Sequence, residues 1–393
     1  MSRERANNRR GASGEISAPI RVLIVAPSFD ILGGQSVQAA RLIQGLREEP
    51  ALEVSFLPVN PRLPKPLRWL QRIKYVRTFV TSLLYLATLL ARVRKYDVIH
   101  VFSASYLSFV IAPTPAILVA RLYGKKILLN YHSGQAEDHL RRWRRSAIPT
   151  MRMADAIVVQ SDYLVEVFAR FGLRAEAVFN HIDTSAFTFR ERKPLKPLFL
   201  SNRNFEPHYG VTTVLRAFAL IQQHLPEARL TVAGEGGQRA ELERLSRELE
   251  LRHTQFTGKV APERMPELYD AADIFLNGSE VDNMPLSILE SFAAGLAVVT
   301  TNAGGIPYIV TDEKTGLLVN VQDHEAMAAC ALRLLDDDAL AQKLTAAARE
   351  ECLRYEWRAV KDKWLKVYLK LSRAGVEALE EERRVGGATV SER

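Results

Sequence analysis

Apolar positions along the chain switch between two periods. Residues 20–26 read IRVLIVA, a continuous β-branched run of the kind found in a parallel strand covered on both faces. From 37 to 46 the apolar positions return at helical spacing, which predicts a strand, the turn SFDILGGQSVQ and then a helix. Further strands are expected at 53–58, 97–102, 126–131, 156–160 and 177–180, with helical stretches between most of them. Strands that alternate with helices imply a parallel sheet. The pattern restarts at PLKPLFLS, residues 194–201, and continues with strands near 229–233, 255–258, 274–277 and 297–300. A last aromatic helix with Trp357 and Trp364 is expected over about 355–371. The stretch 181–197, rich in Lys, Arg and Pro, separates the two series and predicts an interdomain hinge.

Length agrees with that division. At 393 residues and 47% hydrophobic composition the chain exceeds the size at which one core keeps growing, so two α/β domains are expected. The first is assigned to 20–185 and the second to 186–354, with the helix at about 355–372 free to pack back on the first. Residues 1–19 are polar with no apolar h-region, which argues against a secretory signal and for a disordered leader; 383–393 read as a disordered tail. Only Cys330 and Cys352 are present, far from CxxC spacing, so a disulfide framework and a zinc site are unsupported and a reducing cytoplasm fits.

Charge narrows the partners. Residues 1–180 carry 26 Lys and Arg against 13 Asp and Glu, whereas the remainder is net acidic. A basic half suits nucleic acid, a phosphorylated substrate or an anionic membrane, and no nucleic-acid-binding motif is present. Residues 54–96 contain no acid, and Arg62, Lys65, Arg68, Arg72, Lys74, Arg77, Arg92, Arg94 and Lys95 flank the apolar run 79–91. That run is shorter than the roughly 20 residues needed to span a bilayer. It reads either as a helix lying in a membrane interface, at the inner face of the membrane, or as a core helix with a solvated basic side. Arg141, Arg142, Arg144 and Arg145 around Trp143 add weight to an anionic surface.

The chemistry concentrates in residues 277–305, NGSEVDNMPLSILESFAAGLAVVTTNAGG. A strand ends at Asn277, a loop carries Asp282 and Asn283, and Pro285 sits where a helix begins without losing a hydrogen bond. The helix start points free N–H groups at the carboxyl ends of the strands, where open α/β sheets bind ligands and a phosphate gains up to about 2 kcal/mol. Glu290 follows a turn and a half later, placed either for a ribose diol or simply on the helix surface.

Asp282, seven intervening residues, Glu290 and then AAGLAVVTTNAGGIPYIVTDEKTGLLV resemble glycosyltransferase family 4, the retaining GT-B enzymes also grouped as glycosyl transferases group 1. AGEGGQRAELERL and FTGKVAPERMPELYDAADIFLNGS extend the match across nearly the whole second domain. The resemblance implies two Rossmann-like domains facing across a cleft, a nucleotide diphosphate sugar as donor and a saccharide or lipid-linked acceptor. It implies that Glu290 binds the donor ribose and that Asp282, at a position where Glu is usual, lies near the transferred sugar. Asn283, Met284, Pro285 and Leu286 would hold the sugar and phosphates through their backbone, Gly234 and Gly236 would form a turn, and Lys259 and Val260 would lie against the base.

SNRNFEPHYGVTTVLRAF resembles the stretch that places Arg203 on the diphosphate; Tyr209 stands where a lysine is customary, exchanging a cation for a hydroxyl. Gly33 and Gly34 resemble the glycine loop that brings backbone N–H groups to the diphosphate. LLNYHSGQ nominates His132 as a cleft residue near the sugar or acceptor, and NHIDTSAF places Asn180 and Asp183 in a structural turn at the hinge. No metal or cofactor is expected beyond the sugar nucleotide, because the one acidic cluster, 336–338 in LLDDDALAQKL, reads as a turn and helix cap. A dinucleotide-dependent oxidoreductase would need GxGxxG directly after the first strand, which SFDILGGQSVQ lacks. A binding protein that keeps this fold without turnover is the remaining alternative.

Overall fold

The computed structural model describes residues 18–29, 34–63, 69, 73–103 and 105–372. Gly33, Lys65, Arg68, Arg72 and both terminal segments lie outside the described residues.

Strands β1 (Ile20–Ala26), β2 (Leu52–Pro58), β3 (Val98–Ser103), β4 (Lys126–Tyr131), β5 (Ala156–Val159) and β6 (Glu176–Ala177) form one sheet in the order β2-β1-β3-β4-β5-β6. Strands β7 (Leu198–Asn202), β8 (Arg229–Ala233), β9 (Thr254–Gly258), β10 (Ile274–Asn277), β11 (Ala297–Thr301) and β12 (Leu317–Val319) form a second in the order β12-β11-β10-β7-β8-β9. Every pairing is parallel. Parallel pairing demands crossovers. In the first half these are α1 (Gly34–Arg47), α2 (Lys74–Arg92), α3 (Leu107–Ile111), α4 (Pro113–Leu122), α5 (Ala136–Arg142), α6 (Arg144–Met151) and α7 (Asp162–Arg170). The second half has α8 (Val211–His224), α9 (Arg239–Glu248), α10 (Met265–Asp270), α11 (Leu286–Ala294), α12 (His324–Asp336), α13 (Asp338–Cys352) and α14 (Trp357–Leu371).

Each sheet is covered on both faces, which is why β1 from Val22 to Ala26 and β5 are apolar at successive positions rather than at alternate ones. Leu23 and Val25 enter a core with α2, α4 and α7, while Val22 and Ile24 enter the opposite core with α1 and α14. Thus α14, the last described helix, completes the first domain through Val360, Trp364, Val367, Tyr368 and Leu371. The chain leaves the first domain and returns to it side by side. Ile182 N donates to Tyr355 O at 2.8 Å, Ile182 pairs with Glu356 as a parallel bridge, and Thr184 Oγ1 donates to Glu356 at 2.5 Å.

The differences from the expected elements have local causes. The strand expected from 194 begins at Leu198, because Pro194 and Pro197 cannot donate to a ladder. β12 is three residues long, too short to show a period. Asp337 caps α13 by accepting from Leu340 N at 2.9 Å, so that carboxylate serves a helix end.

α2 corrects two expectations. The helical stretch Val76–Lys95 has 20 residues and, by length and composition alone, is long and apolar enough to cross a membrane, so the length argument from 79–91 fails. Nor is α2 a core helix with only a basic outer side. Tyr85 and Leu89 are buried, but Phe79, Leu83, Leu86 and Leu90 form an exposed apolar stripe at helical spacing. Leu107, Leu118 and Leu122 on α3 and α4 are exposed as well, with Leu122 at 72%. Of the arginines near Trp143, Arg141 and Arg142 pair with Glu137 and Asp138 on their own helix.

Candidate functional site

A cavity of about 720 Å³ opens between the carboxyl ends of the two sheets. Gly34 and His132 line it from the first domain; Arg203, Tyr209, Gly234, Gly236, Lys259, Val260, Asp282, Asn283, Met284, Pro285, Leu286 and Glu290 line it from the second. Every nominated residue that the structure describes therefore meets in one place.

On the first-domain side the wall includes the start of α1. Gln35, at the start of α1, donates through Nε2 to the carbonyls of Ser103 (3.0 Å) and His132 (2.8 Å), tying α1 to the ends of β3 and β4. His132 is partly buried at the cavity edge and stacks on Phe102 with ring centroids 4.8 Å apart. Burial pushes its pKa down to about 3, so the imidazole is neutral at physiological pH. Its Nε2 has no partner within the protein. Buried polar atoms are nearly always satisfied, so this one is poised for an acceptor or donor that enters the cavity.

In the second domain Arg203 follows β7. It is not a surface arginine: its side chain is 10% exposed. Nη2 donates to Asp282 Oδ2, Nη1 donates to Ser287 Oγ at 3.3 Å, and Nε has no partner. The ring of Tyr209 lies 4.1 Å from the guanidinium carbon, a cation–π contact. Tyr209 thus backs the neighbouring cation with its ring. Gly234, at φ +149°, lets the turn after β8 press on Arg203, whose carbonyl a Cβ would overlap.

The Asp282–Asn283 loop is held from three sides. Gly305 N donates to Asp282 O at 2.9 Å, and Gly304 sits at φ +51° so close to that carbonyl that a Cβ would overlap it. Gly134 of the first domain packs on the backbone of Asp282 and Asn283. The Asn283 side chain does not join Asp282 at the cavity. It crosses to the first domain, donating through Nδ2 to Gln160 Oε1 at 3.0 Å and accepting from Ser161 Oγ. Its backbone remains on the cavity wall, as do those of Met284, Pro285 and Leu286.

α11 opens at Pro285 with no side-chain cap, so its first N–H groups are left for a ligand, and the macrodipole adds positive potential there. Glu290 is buried rather than displayed on the helix surface. One carboxylate oxygen accepts from Tyr269 Oη at 2.8 Å; the other faces Arg41 Nη2 at 3.6 Å. Burial raises its pKa, and Arg41 and Tyr269 pull it back. The sequence reading passed over Arg41, although a signal existed: Gly34, Gln38 and Arg41 fall at i, i+4 and i+7, one face of α1, and all three line the cavity.

The cavity therefore offers an uncapped helix start, two arginines with unused donors and a buried carboxylate, the requirements for binding an anionic group beside a diol. Among the described residues no group of His, Cys, Asp and Glu is arranged to hold a metal ion.

Comparison with known proteins agrees in both halves. Residues 32–186 match the family described as Glycosyltransferase Family 4, and residues 185–351 match Glycosyl transferases group 1. The chain is 27% identical to sulfoquinovosyl transferase SQD2 of Arabidopsis thaliana over 382 residues, covering 88% of this chain and 73% of that one. It is 26% identical to the phosphatidyl-myo-inositol mannosyltransferase of Mycolicibacterium smegmatis over 393 residues, covering 91% and 96%. Among solved structures, Anabaena Alr3699/HepE in complex with UDP and glucose superposes with a TM-score of 0.69 at 16% identity, covering 88% of this chain and 99% of that one. The likeness is one of fold, GT-B.

Proposed function

Because the chain belongs to the family 4 glycosyltransferases, enzymes of the glycosyl transferases group 1 that use nucleotide sugar donors, we propose that this cavity binds a nucleotide diphosphate sugar and transfers its sugar with retention of configuration. The diphosphate lies between the start of α11, Arg203 and Gly34 at the start of α1; Glu290 takes the ribose, and Lys259 and Val260 lie against the base. The bond from the anomeric carbon to the diphosphate oxygen breaks as a bond to the acceptor oxygen forms on the same face. The acceptor's proton passes to the departing phosphate oxygen, so no second carboxylate is required. Negative charge grows on the leaving diphosphate, and fixed donors aimed at that charge lower the barrier. His132, neutral, and the carboxylate of Asp282 border the reacting sugar as hydrogen-bonding groups.

The observation that carries this reading is the convergence on one cavity of the residues nominated from the two domains, together with the buried, unpartnered donors Arg41 Nη1 and Arg203 Nε. A panel of nucleotide sugars, followed by nucleotide diphosphate release and by the anomeric configuration of the product, tests it. Absence of release from every donor, with or without saccharide or lipid-linked acceptors, overturns the reading.

The acceptor belongs to the same proposal. A saccharide or lipid-linked saccharide, in polysaccharide or glycoconjugate synthesis on the cytoplasmic side of a membrane, suits the exposed apolar stripe of α2 and its neighbours on α3 and α4, with exposed Arg77, Arg94 and Lys95 beside them. Flotation with anionic vesicles at low salt supports this, and no flotation at any salt concentration refutes it.

A further inference from the structure

Arg41 stands on α1, in the domain opposite Glu290, and their ion pair spans the cavity. At 3.6 Å the contact is longer than a hydrogen bond, so the guanidinium attracts Glu290 without committing its N–H groups to it. Nη1 is buried and has no partner at all. On the other side, Tyr269 occupies one oxygen of Glu290 and is itself fixed by Asn202, whose Nδ2 donates to its hydroxyl at 3.1 Å. Glu290 is thus left with a single acceptor oxygen directed at Arg41, and Arg41 with a free donor facing it from the opposite domain. A vicinal diol needs one acceptor for a hydroxyl proton and one donor for a hydroxyl oxygen, and this pair supplies both.

We propose that Arg41 is a positioning residue for donor recognition: from the opposite domain it orients the Glu290 carboxylate toward the ribose diol and donates Nη1 to a ribose hydroxyl. This rests on the donor reading above. It adds that the sugar of the nucleotide is read jointly by both domains, so that ribose recognition is complete only when the cleft is closed.

The test is titration calorimetry of the full chain with UDP, GDP and ADP and with their 2′-deoxy and 3′-deoxy counterparts. For the nucleotide that binds, removing one ribose hydroxyl weakens wild-type binding about 10-fold or more, because it strands a buried partner. Arg41→Ala weakens binding of the ribonucleotide by about 10-fold and shrinks the deoxy penalty to within about twofold, since the variant no longer reads the diol. In turnover the donor KM rises while kcat stays within about threefold, the mark of uniform binding. Arg41→Lys restores part of the deoxy penalty. Arg41→Gln, close in shape, serves the same comparison should the alanine variant not fold.

A purely structural role for Arg41 predicts a different result. Ribo- and deoxynucleotides then weaken equally and the full deoxy penalty persists, which overturns the proposal while leaving the donor reading standing. If none of the three nucleotides binds the wild-type protein, the donor reading falls and this inference with it.

Discussion

Replacing Arg203 by alanine acts on two quantities at once, and the structure separates them. In the proposed reaction Arg203 faces the leaving diphosphate, and losing one preorganised donor there costs about 2.7 kcal/mol of transition-state stabilisation, roughly 100-fold in turnover. It is also the partner of Asp282, whose side chain is only 12% exposed. Removing the cation strands that carboxylate, and breaking a buried pair costs about 3–5 kcal/mol of fold stability. The cavity admits water, so the low end applies, about 3 kcal/mol or roughly 10 °C in Tm for a domain of this size. Arg203→Ala alone should therefore be both slow and heat-labile. The double variant Arg203→Ala with Asp282→Asn removes the stranded charge, so its Tm should return to within a few degrees of wild type while turnover stays about 100-fold down. Nucleotide diphosphate release at saturating donor, beside differential scanning calorimetry, measures both. A double variant whose turnover lies within threefold of wild type refutes the placement of Arg203 at the leaving group.

Other outcomes follow from the same geometry. Gly304→Ala forces a Cβ into the Asp282 carbonyl at φ +51°, so the Asp282–Asn283 loop should shift and donor KM should rise about 10-fold or more; an unchanged KM refutes its seating role. Burial lowers the pKa of His100 and His132 to about 3 and of His139 and His181 to about 4. Their unfolded value is about 6.5, so the unfolded chain takes up protons first, and stability, fully present above that pH, drains away between about 6.5 and 3 by up to roughly 1.4 kcal/mol per histidine per pH unit. Tm should fall steeply from pH 7 to 5 and less steeply in His100→Asn; a flat profile contradicts the burial. Treatment with EDTA should leave transfer intact, since Arg203 and the α11 start are assigned to carry the charge, and complete loss of activity defeats that view.

Much of this molecule is legible in its sequence because the information is local. A strand covered on both faces must be apolar throughout, so β1 announces itself in IRVLIVA. Glu290 and Asp282 can be nominated because the family pattern they resemble lies in one stretch, with seven residues of loop and helix between them. What escaped depends on a second chain segment. Asn283 follows Asp282 in the same loop, yet Gln160 and Ser161, more than a hundred residues away, capture its side chain. Tyr209 looks like a lost cation until Arg203 is seen against its ring. Arg41 is an ordinary helix arginine until a helix of the other domain brings Glu290 opposite it. The exposed stripe on α2 has the composition of a buried one, and only the position of its neighbours decides which side faces outward.

The bridge between Ile182 and Glu356 has a mechanical corollary. Both passages of the backbone from one lobe to the other lie next to each other, so a rotation about that line strains those crossings less than sliding, which would shear two strands of chain at once. Opening is then a rotation. Groups near the axis barely separate, those at the opposite lip travel farthest, and a pair of fluorophores placed across that lip would follow the swing most sensitively.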